Sequence, residues 1–275
     1  MKRIITQIYE IQTPEEAGQV AACGVDHIGS VVLSKARWKQ PELLETRRAV
    51  KEAGAVSSLI LLFTDKDVIA AALDYYQPDI VHFCEDLRLS ERLPESSAAI
   101  KDALAPLVAM QAEIRERFPD IRIMRSIPIQ QSRANSSLPV LEAARAFEPV
   151  SDYFLTDTLM SETDPQSGNS QPVGGFVGIT GEICSWQSAA DLVDWSPIPV
   201  ILAGGLSPEN VFDAVRCVRP AGVDSCTRTN ALDAEGRPVR FKKDMDRVRR
   251  FVSETCRAAE TLAQAPESEK PKPNT

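Results

Sequence analysis

The stretch Ile198-Pro-Val-Ile-Leu-Ala-Gly-Gly-Leu-Ser-Pro-Glu-Asn-Val211 decides how this chain is read. A short apolar strand runs into Gly204-Gly205, and a helix is expected at once behind Ser207. Ser207 suits the cap. Pro208 suits the first turn, where its missing N–H would have no partner anyway. Adjacent glycines let backbone amides approach a ligand closely, and a fresh helix start adds N–H groups and positive dipole. This is the chemistry of a phosphate cradle at the carboxyl end of a strand. An ordinary βα turn with a good cap fits the same residues.

The same alternation extends in both directions. Strands are expected over Arg3–Ile8, His27–Leu33, Val56–Phe63, Asp79–Phe83, Ile121–Ile127, Tyr153–Asp157, Pro199–Ala203 and Gly222–Cys226. Helices are expected over Pro14–Cys23, Pro41–Ala53, Lys66–Tyr76, Ser96–Arg117, Pro139–Phe147, Gln187–Val193, Pro208–Val218 and Lys242–Ala259. The strands are short apolar runs with β-branched residues, as a parallel sheet buried on both faces requires. Eight such units predict a single-domain α/β chain, a closed (β/α)8 TIM barrel over residues 1–262. An open doubly wound sheet is the alternative, weakened because no Gly-x-Gly-x-x-Gly follows the first strand. The fourth βα unit is enlarged, over Leu87–Asp120, and a long loop, Thr158–Trp186, follows strand six. Loops of that length are usually functional or mobile. Residues 263–275 are charged and proline-rich and are expected to be a disordered tail.

Composition narrows the partners. The chain of 275 residues is 43% hydrophobic with a net charge of −8. That balance argues against nucleic acid, which demands a basic footprint. No apolar run approaches a membrane span, and the amino terminus lacks a signal-peptide core. Six scattered cysteines without CxxC spacing suggest reduced thiols in a cytoplasmic protein. With only His27 and His82 beside them, neither a metal cluster nor a cofactor is expected. A monomer or a homodimer is equally compatible with the sequence.

Several segments together resemble the phosphoribosylanthranilate isomerase family of (β/α)8 enzymes of tryptophan biosynthesis. Ala203 to Val211 is similar to the family's glycine-pair segment almost residue for residue. Val223-Asp224 resembles its eighth strand, and Leu155-Thr156-Asp157-Thr158 the end of its sixth. Gly178-Ile179-Thr180-Gly181 with Trp186, and Lys243-Asp244 with Arg247 and Phe251, resemble its next loop and its last helix. Gly24 to Gly29 and Asp79-Ile80-Val81 resemble its second and fourth strands. The resemblance implies an intramolecular oxidoreductase, an aldose–ketose isomerase. Its reaction is the Amadori rearrangement of an N-linked ribose phosphate, so the partner is a small anionic phosphorylated substrate. It also implies a strand-one cysteine as general base and Asp157 as general acid. A carboxylic acid of raised pKa can protonate a ring oxygen and open a sugar. A helix or loop cap is the plainer role for Asp157.

The departures from the family pattern carry as much information. Counting back from Glu15-Glu16-Ala17, the cysteine position falls on Tyr9 and the following glycine on Glu10. Tyrosine, with a pKa near 10, is a poor base at neutrality. On strand four, His82 and Cys84 share a face and could supply a relocated base, or could simply be packing. On strand eight, Thr227 could donate to phosphate, and Arg228 could pair with it or point to solvent. Arg125 falls at the family's strand-five lysine and Arg37 at the arginine after strand two. Each could bind an anion or be a surface charge. The expected phosphate and substrate set is therefore Gly204, Gly205, Thr180, Gly181, Thr227, Arg228, Arg37 and Arg125, and the catalytic set Asp157, Cys84, His82 and Tyr9. A phosphate-binding barrel with another reaction, or with none, is the competing expectation, because Tyr9 replaces the cysteine.

Overall fold

The computed structural model describes residues 3–87, 97–131, 139–160 and 173–264. Eight parallel strands close into a barrel in sequence order: β1 Ile5–Ile8, β2 His27–Val32, β3 Val56–Leu61, β4 Ile80–Phe83, β5 Arg122–Gln130, β6 Tyr153–Leu159, β7 Val200–Leu202 and β8 Gly222–Ser225. Closure is made by β1 against β8, with Gln7 opposite Asp224 and Ile8 opposite Ser225. The helices lie between successive strands: α1 Pro14–Ala22, α2 Pro41–Glu52, α3 Lys66–Tyr76, α4 Ser97–Arg117, α5 Val140–Phe147, α6 Trp186–Trp195, α7 Val211–Val218 and α8 Met245–Gln264.

Local chemistry explains these boundaries. Thr13 caps α1 by accepting from the Glu16 amide, Asp65 caps α3 through Val68, and Ser185 caps α6 through Ser188. Two segments depart from expectation. The helix expected from Pro208 begins only at Val211. Asn210 folds back instead, accepting from the Ser207 amide at 2.8 Å and donating to the Gly205 carbonyl at 3.1 Å. The last helix begins at Met245, not Lys242, because an antiparallel hairpin precedes it: β9 Asn230–Leu232 and β10 Pro238–Lys243. Asp244 then accepts from the amides of Asp246 and Arg247 and caps α8. The start of the enlarged fourth unit, the middle of the loop after β6 and the tail beyond Gln264 lie outside the described residues.

Alternation sorts the strand side chains into two layers. Outward residues such as Ile8, Ile28, Leu202 and Val223 pack under α1, α7 and α8. Inward residues include Tyr9, Ile80, Met124, Leu155 and Ile201. The barrel interior is unusually polar. The Tyr9 hydroxyl bonds Ser58 Oγ at 2.6 Å and His82 Nδ1 at 2.8 Å, and His82 Nε2 bonds Ser126 Oγ at 2.8 Å. A second chain runs from His27 Nδ1, which donates to Gln7 Oε1 at 3.2 Å, through Gln7 Nε2, which donates to Asp224 Oδ1 at 3.1 Å. Buried polar groups of this kind are tolerable only when partnered.

The Tyr9 ring fits because residue 29 is glycine. A Cβ there would stand 2.1 Å from the ring's Cδ1 and Cε1. Gly29→Ala is therefore expected to cost on the order of 2–3 kcal/mol by overpacking, lowering Tm by about 5–10 °C. Combining it with Tyr9→Cys should recover most of that loss in a thermal melt. Equal damage with and without the tyrosine would contradict this account.

Candidate active site

The carboxyl ends of the strands carry two small adjoining cavities, each of about 40 Å³. The outer one is bordered by Gly204 and Gly205 after β7, Thr180 and Gly181 of the loop before α6, and Thr227 and Arg228 after β8. The inner one is bordered by Tyr9, Glu10, His82, Cys84 and Leu155. Asp157, Ile179, Asp224 and Cys226 line both. Six of the eight residues expected to bind phosphate or substrate thus converge on one pocket, and all four expected catalytic residues border the other.

Backbone geometry builds the outer cavity. Gly204 and Gly205 have φ of 94° and 62°, conformations that glycine adopts without steric cost. A Cβ on Gly205 would lie 2.6 Å from the Glu182 carbonyl carbon, so only glycine lets the two loops approach. Thr158 Oγ1 ties the same loop down by donating to the Glu182 carbonyl at 2.6 Å. Arg228 donates from Nε to the Gly181 carbonyl at 2.9 Å and leaves an exposed guanidinium beside the pocket. The first donors of α7 are partly consumed by Ser207 and Asn210, which take the amides of Glu209, Val211 and Ser207. The outer cavity is therefore shaped by the glycine pair and the β8 loop more than by the helix start.

Two of the expected cations stand elsewhere. Arg125 is fully buried under α5, where Nη1 meets Glu85 Oε2 at 2.5 Å and the guanidinium lies 4.3 Å from the Phe147 ring centroid. Its neighbours Met124 and Ser126 face inward, so period-two alternation turns Arg125 out of the pocket. Arg37 is exposed in the 3-10 turn Lys35–Arg37 after β2 and borders neither cavity.

Burial sets the ionisation of the site. Asp157 sits at the end of β6, accepts from the Thr158 amide at 2.8 Å, and is raised to about 7 by desolvation. Its carboxylate lies under the loop, since a Cβ on Gly178 would stand 2.3 Å from Asp157 Oδ2. Asp224 is pushed up to about 8, again mainly by burial, against the lowering effect of Gln7. His82 is driven down to about 3 by burial and then by the Arg125 charge, so it stays neutral. Burial also raises Cys84 well above an ordinary thiol and Tyr9 well above an ordinary phenol. His82 and Cys84 do share the pocket face, but neither is poised as a base. One is locked between Tyr9 and Ser126, and the other stays a thiol.

Sequence reasoning missed three residues at this end. Asp224 was visible only as part of a strand pattern. Cys226 follows β8 beside Tyr9, whose amide donates to the Ser225 carbonyl at 3.4 Å. Glu10 has φ of 68°, a left-handed conformation that costs a side-chain-bearing residue about 1 kcal/mol or more. Its Oε1 accepts from Arg240 Nε at 2.7 Å and Nη2 at 2.5 Å. A glycine-like turn occupied by glutamate, three residues before the helix signal at Thr13, was the available clue.

A wider groove of about 600 Å³ lies at the opposite end, between the start of β7 and the end of α8. The amino-terminal face of such barrels serves stability, and Arg3, which borders the groove, is paired with Asp26 at 2.7 Å. Among the described residues no three His, Cys, Asp or Glu side chains converge as a metal site requires, and no helix is long and apolar enough to cross a membrane.

Comparison with known proteins bears on the same strands. A family model described as N-(5'phosphoribosyl)anthranilate (PRA) isomerase matches residues 110–228. N-(5'-phosphoribosyl)anthranilate isomerase 2 of Methanosarcina mazei is 27% identical over 253 residues, covering 89% of this chain and 96% of that protein. The crystal structure of phosphoribosyl anthranilate isomerase from Thermotoga maritima superposes with a TM-score of 0.61 at 21% identity, covering 92% of this chain and 98% of that one. A structure of such an isomerase in complex with reduced 1-(o-carboxyphenylamino)-1-deoxyribulose 5-phosphate gives a TM-score of 0.60, also at 21% identity and with the same coverage.

The raised carboxyls make stability depend on pH. Folded Asp224 keeps a proton that an unfolded carboxyl, near 3.8, has released. The unfolded state then binds fewer protons, so this residue's contribution declines as pH rises from about 4 to about 8. Asp224→Asn keeps an acceptor for Gln7 and removes that penalty. It should stabilise the protein at pH 8.5 by on the order of 2 kcal/mol and have little effect at pH 4. Chemical denaturation at both pH values checks this, and a loss of stability at pH 8.5 would contradict it.

Proposed function

Because the chain belongs to the phosphoribosylanthranilate isomerase family, we propose that it converts N-(5'-phosphoribosyl)anthranilate to the corresponding 1-amino-1-deoxyketose phosphate in tryptophan biosynthesis. The observation that carries the proposal is Asp157. It is a carboxyl raised to about 7 at a barrel strand's carboxyl end, bordering the pocket formed by Gly204, Gly205, Thr180, Gly181, Thr227 and Arg228. About half of Asp157 is protonated at neutrality. It can therefore give a proton to the ring oxygen of a ribose whose phosphate lies on the glycine pair. As the C1–O bond breaks, the lone pair of the attached nitrogen forms C1=N. Glycine amides, Thr227 and the Arg228 guanidinium supply the donors that a phosphate dianion needs. The reduced deoxyribulose 5-phosphate compound named above is bound to an isomerase with the same barrel, and its phosphate is the group such a pocket suits.

A phosphosugar needs several hundred Å³, and each cavity holds about 40 Å³. Binding therefore requires displacement of the roof formed by Val177, Gly178 and Ile179. Re-closure would keep water from the opened sugar.

Purified protein is expected to consume N-(5'-phosphoribosyl)anthranilate and to complement a strain lacking the isomerase. Asp157→Asn should lower kcat by about 10²- to 10⁴-fold. The acid must be protonated, so kcat should fall as pH rises through about 7. Absence of turnover by the unmutated protein would overturn the proposal.

A further inference from the structure

The rearrangement needs a base for the C2 proton, and Tyr9, His82 and Cys84 do not provide one. We propose that Glu10, at the end of β1, is the general base, held in place by Arg240 of the β9–β10 hairpin. The assignment rests on the isomerase reading above and deepens it.

Four independent observations converge on this carboxylate. Glu10 borders the inner cavity together with Asp157. Its side chain is only 1% exposed, and among the described residues its buried Oε2 receives no N–H or hydroxyl donor. Its other oxygen is fixed by two guanidinium donors from Arg240. Its backbone is held at φ 68°, a strain that persists where surrounding structure enforces a functional geometry. An ion pair alone would account for Oε1. It does not account for a second carboxylate oxygen buried at the wall of a sugar pocket with only the Cys226 thiol near it.

The neighbouring groups fit the role. Lys243 is buried close by, donating to the Cys226 carbonyl at 2.8 Å and to Asn230 Oδ1. The Cys226 thiol stands beside the Glu10 carboxylate and is raised well above an ordinary thiol by burial, so it stays protonated. Asp224, raised to about 8, is mostly protonated at neutrality. Strands β1 and β6 lie three places apart around the barrel, so acid and base approach the sugar from different sides.

The step balances without a co-reactant. Once Asp157 has protonated the ring oxygen and C1=N has formed, Glu10 takes the C2 proton. The C2–H electron pair becomes the C1=C2 bond, and the C1=N π pair returns to nitrogen. The resulting enolamine gains a proton at C1 and loses its C2 hydroxyl proton, which leaves a ketone and resets both carboxyl groups.

The test is steady-state kinetics on the full chain, with melting curves run alongside. Glu10→Gln is expected to lower kcat about 10³-fold while KM stays within about threefold. Glu10→Asp, which keeps the charge and can keep the Arg240 pair, should lose about 10- to 100-fold and serves if the glutamine variant does not fold. A structural role would lower Tm and spare kcat. The proposal is overturned if Glu10→Gln keeps more than a tenth of wild-type kcat, or if Glu10→Asp keeps all of it. It is likewise overturned if Cys226→Ser carries the larger loss. No turnover by the unmutated protein would remove the isomerase reading itself. Turnover that survives Glu10→Gln would remove only the base.

Discussion

The Tyr9 hydroxyl joins Ser58 at 2.6 Å and His82 at 2.8 Å, and much of the inner architecture follows from that junction. The ring needs the space that Gly29 leaves on β2. The hydroxyl engages one imidazole nitrogen, and Ser126 engages the other. A neutral histidine satisfied on both nitrogens is inexpensive to bury, whereas an imidazolium in the same place would face the Arg125 charge. A phenol so placed closes the floor of the inner cavity. It also leaves the strand-one end without a group that can take a proton near neutrality, which moves the chemical demand one residue outward, to Glu10.

Charge balance at the mouth follows from the same crowding. Among the described residues no cation contacts the half-buried Asp157 or the buried Asp224, and both rise toward or above neutrality. Glu10 is buried with a cation from the hairpin. The three carboxyl groups therefore differ in environment: two are desolvated, and one is paired with a guanidinium. Desolvation biases Asp157 and Asp224 toward the acid form, as a general acid requires. The hairpin is the element that makes the difference. Arg240 and Lys243 both come from β10, and without them the end of β1 would carry an uncompensated buried charge.

The barrel was readable because its signals are local and repeated. Proline-led helices behind capping residues and short β-branched runs place every barrel strand to within a few residues, and Gly204-Gly205 marks the pocket. What escaped depended on one-residue distinctions or on distant partners. Arg125 lies between two inward residues, and only the register of β5 decides that it faces Phe147 and Glu85. The late start of α7 depends on an Asn210 side chain that competes for the turn's own backbone groups. The hairpin carries the cations Arg240, Lys242 and Lys243, which read equally well as the polar start of a helix. Glu10 acquires meaning only when Arg240, 230 positions away, folds onto it.

The acid and the roof of the pocket are physically linked. Desolvation is the largest cause of the raised Asp157 pKa, and part of that desolvation comes from the loop whose Gly178 lies against the carboxylate. If this loop swings away to admit a ligand, water returns to Asp157 and its pKa falls toward the ordinary carboxyl range. Closure reverses the change. The side chain is thus a stronger candidate to hold a proton when the site is shut than when it is open, and proton donation becomes conditional on a covered ligand. A small residue at 178 is what permits the loop to lie this low, since any Cβ would strike Asp157 Oδ2. The glycine that allows coverage and the aspartate that responds to it therefore work as one unit, set by sterics on one side and by dielectric on the other.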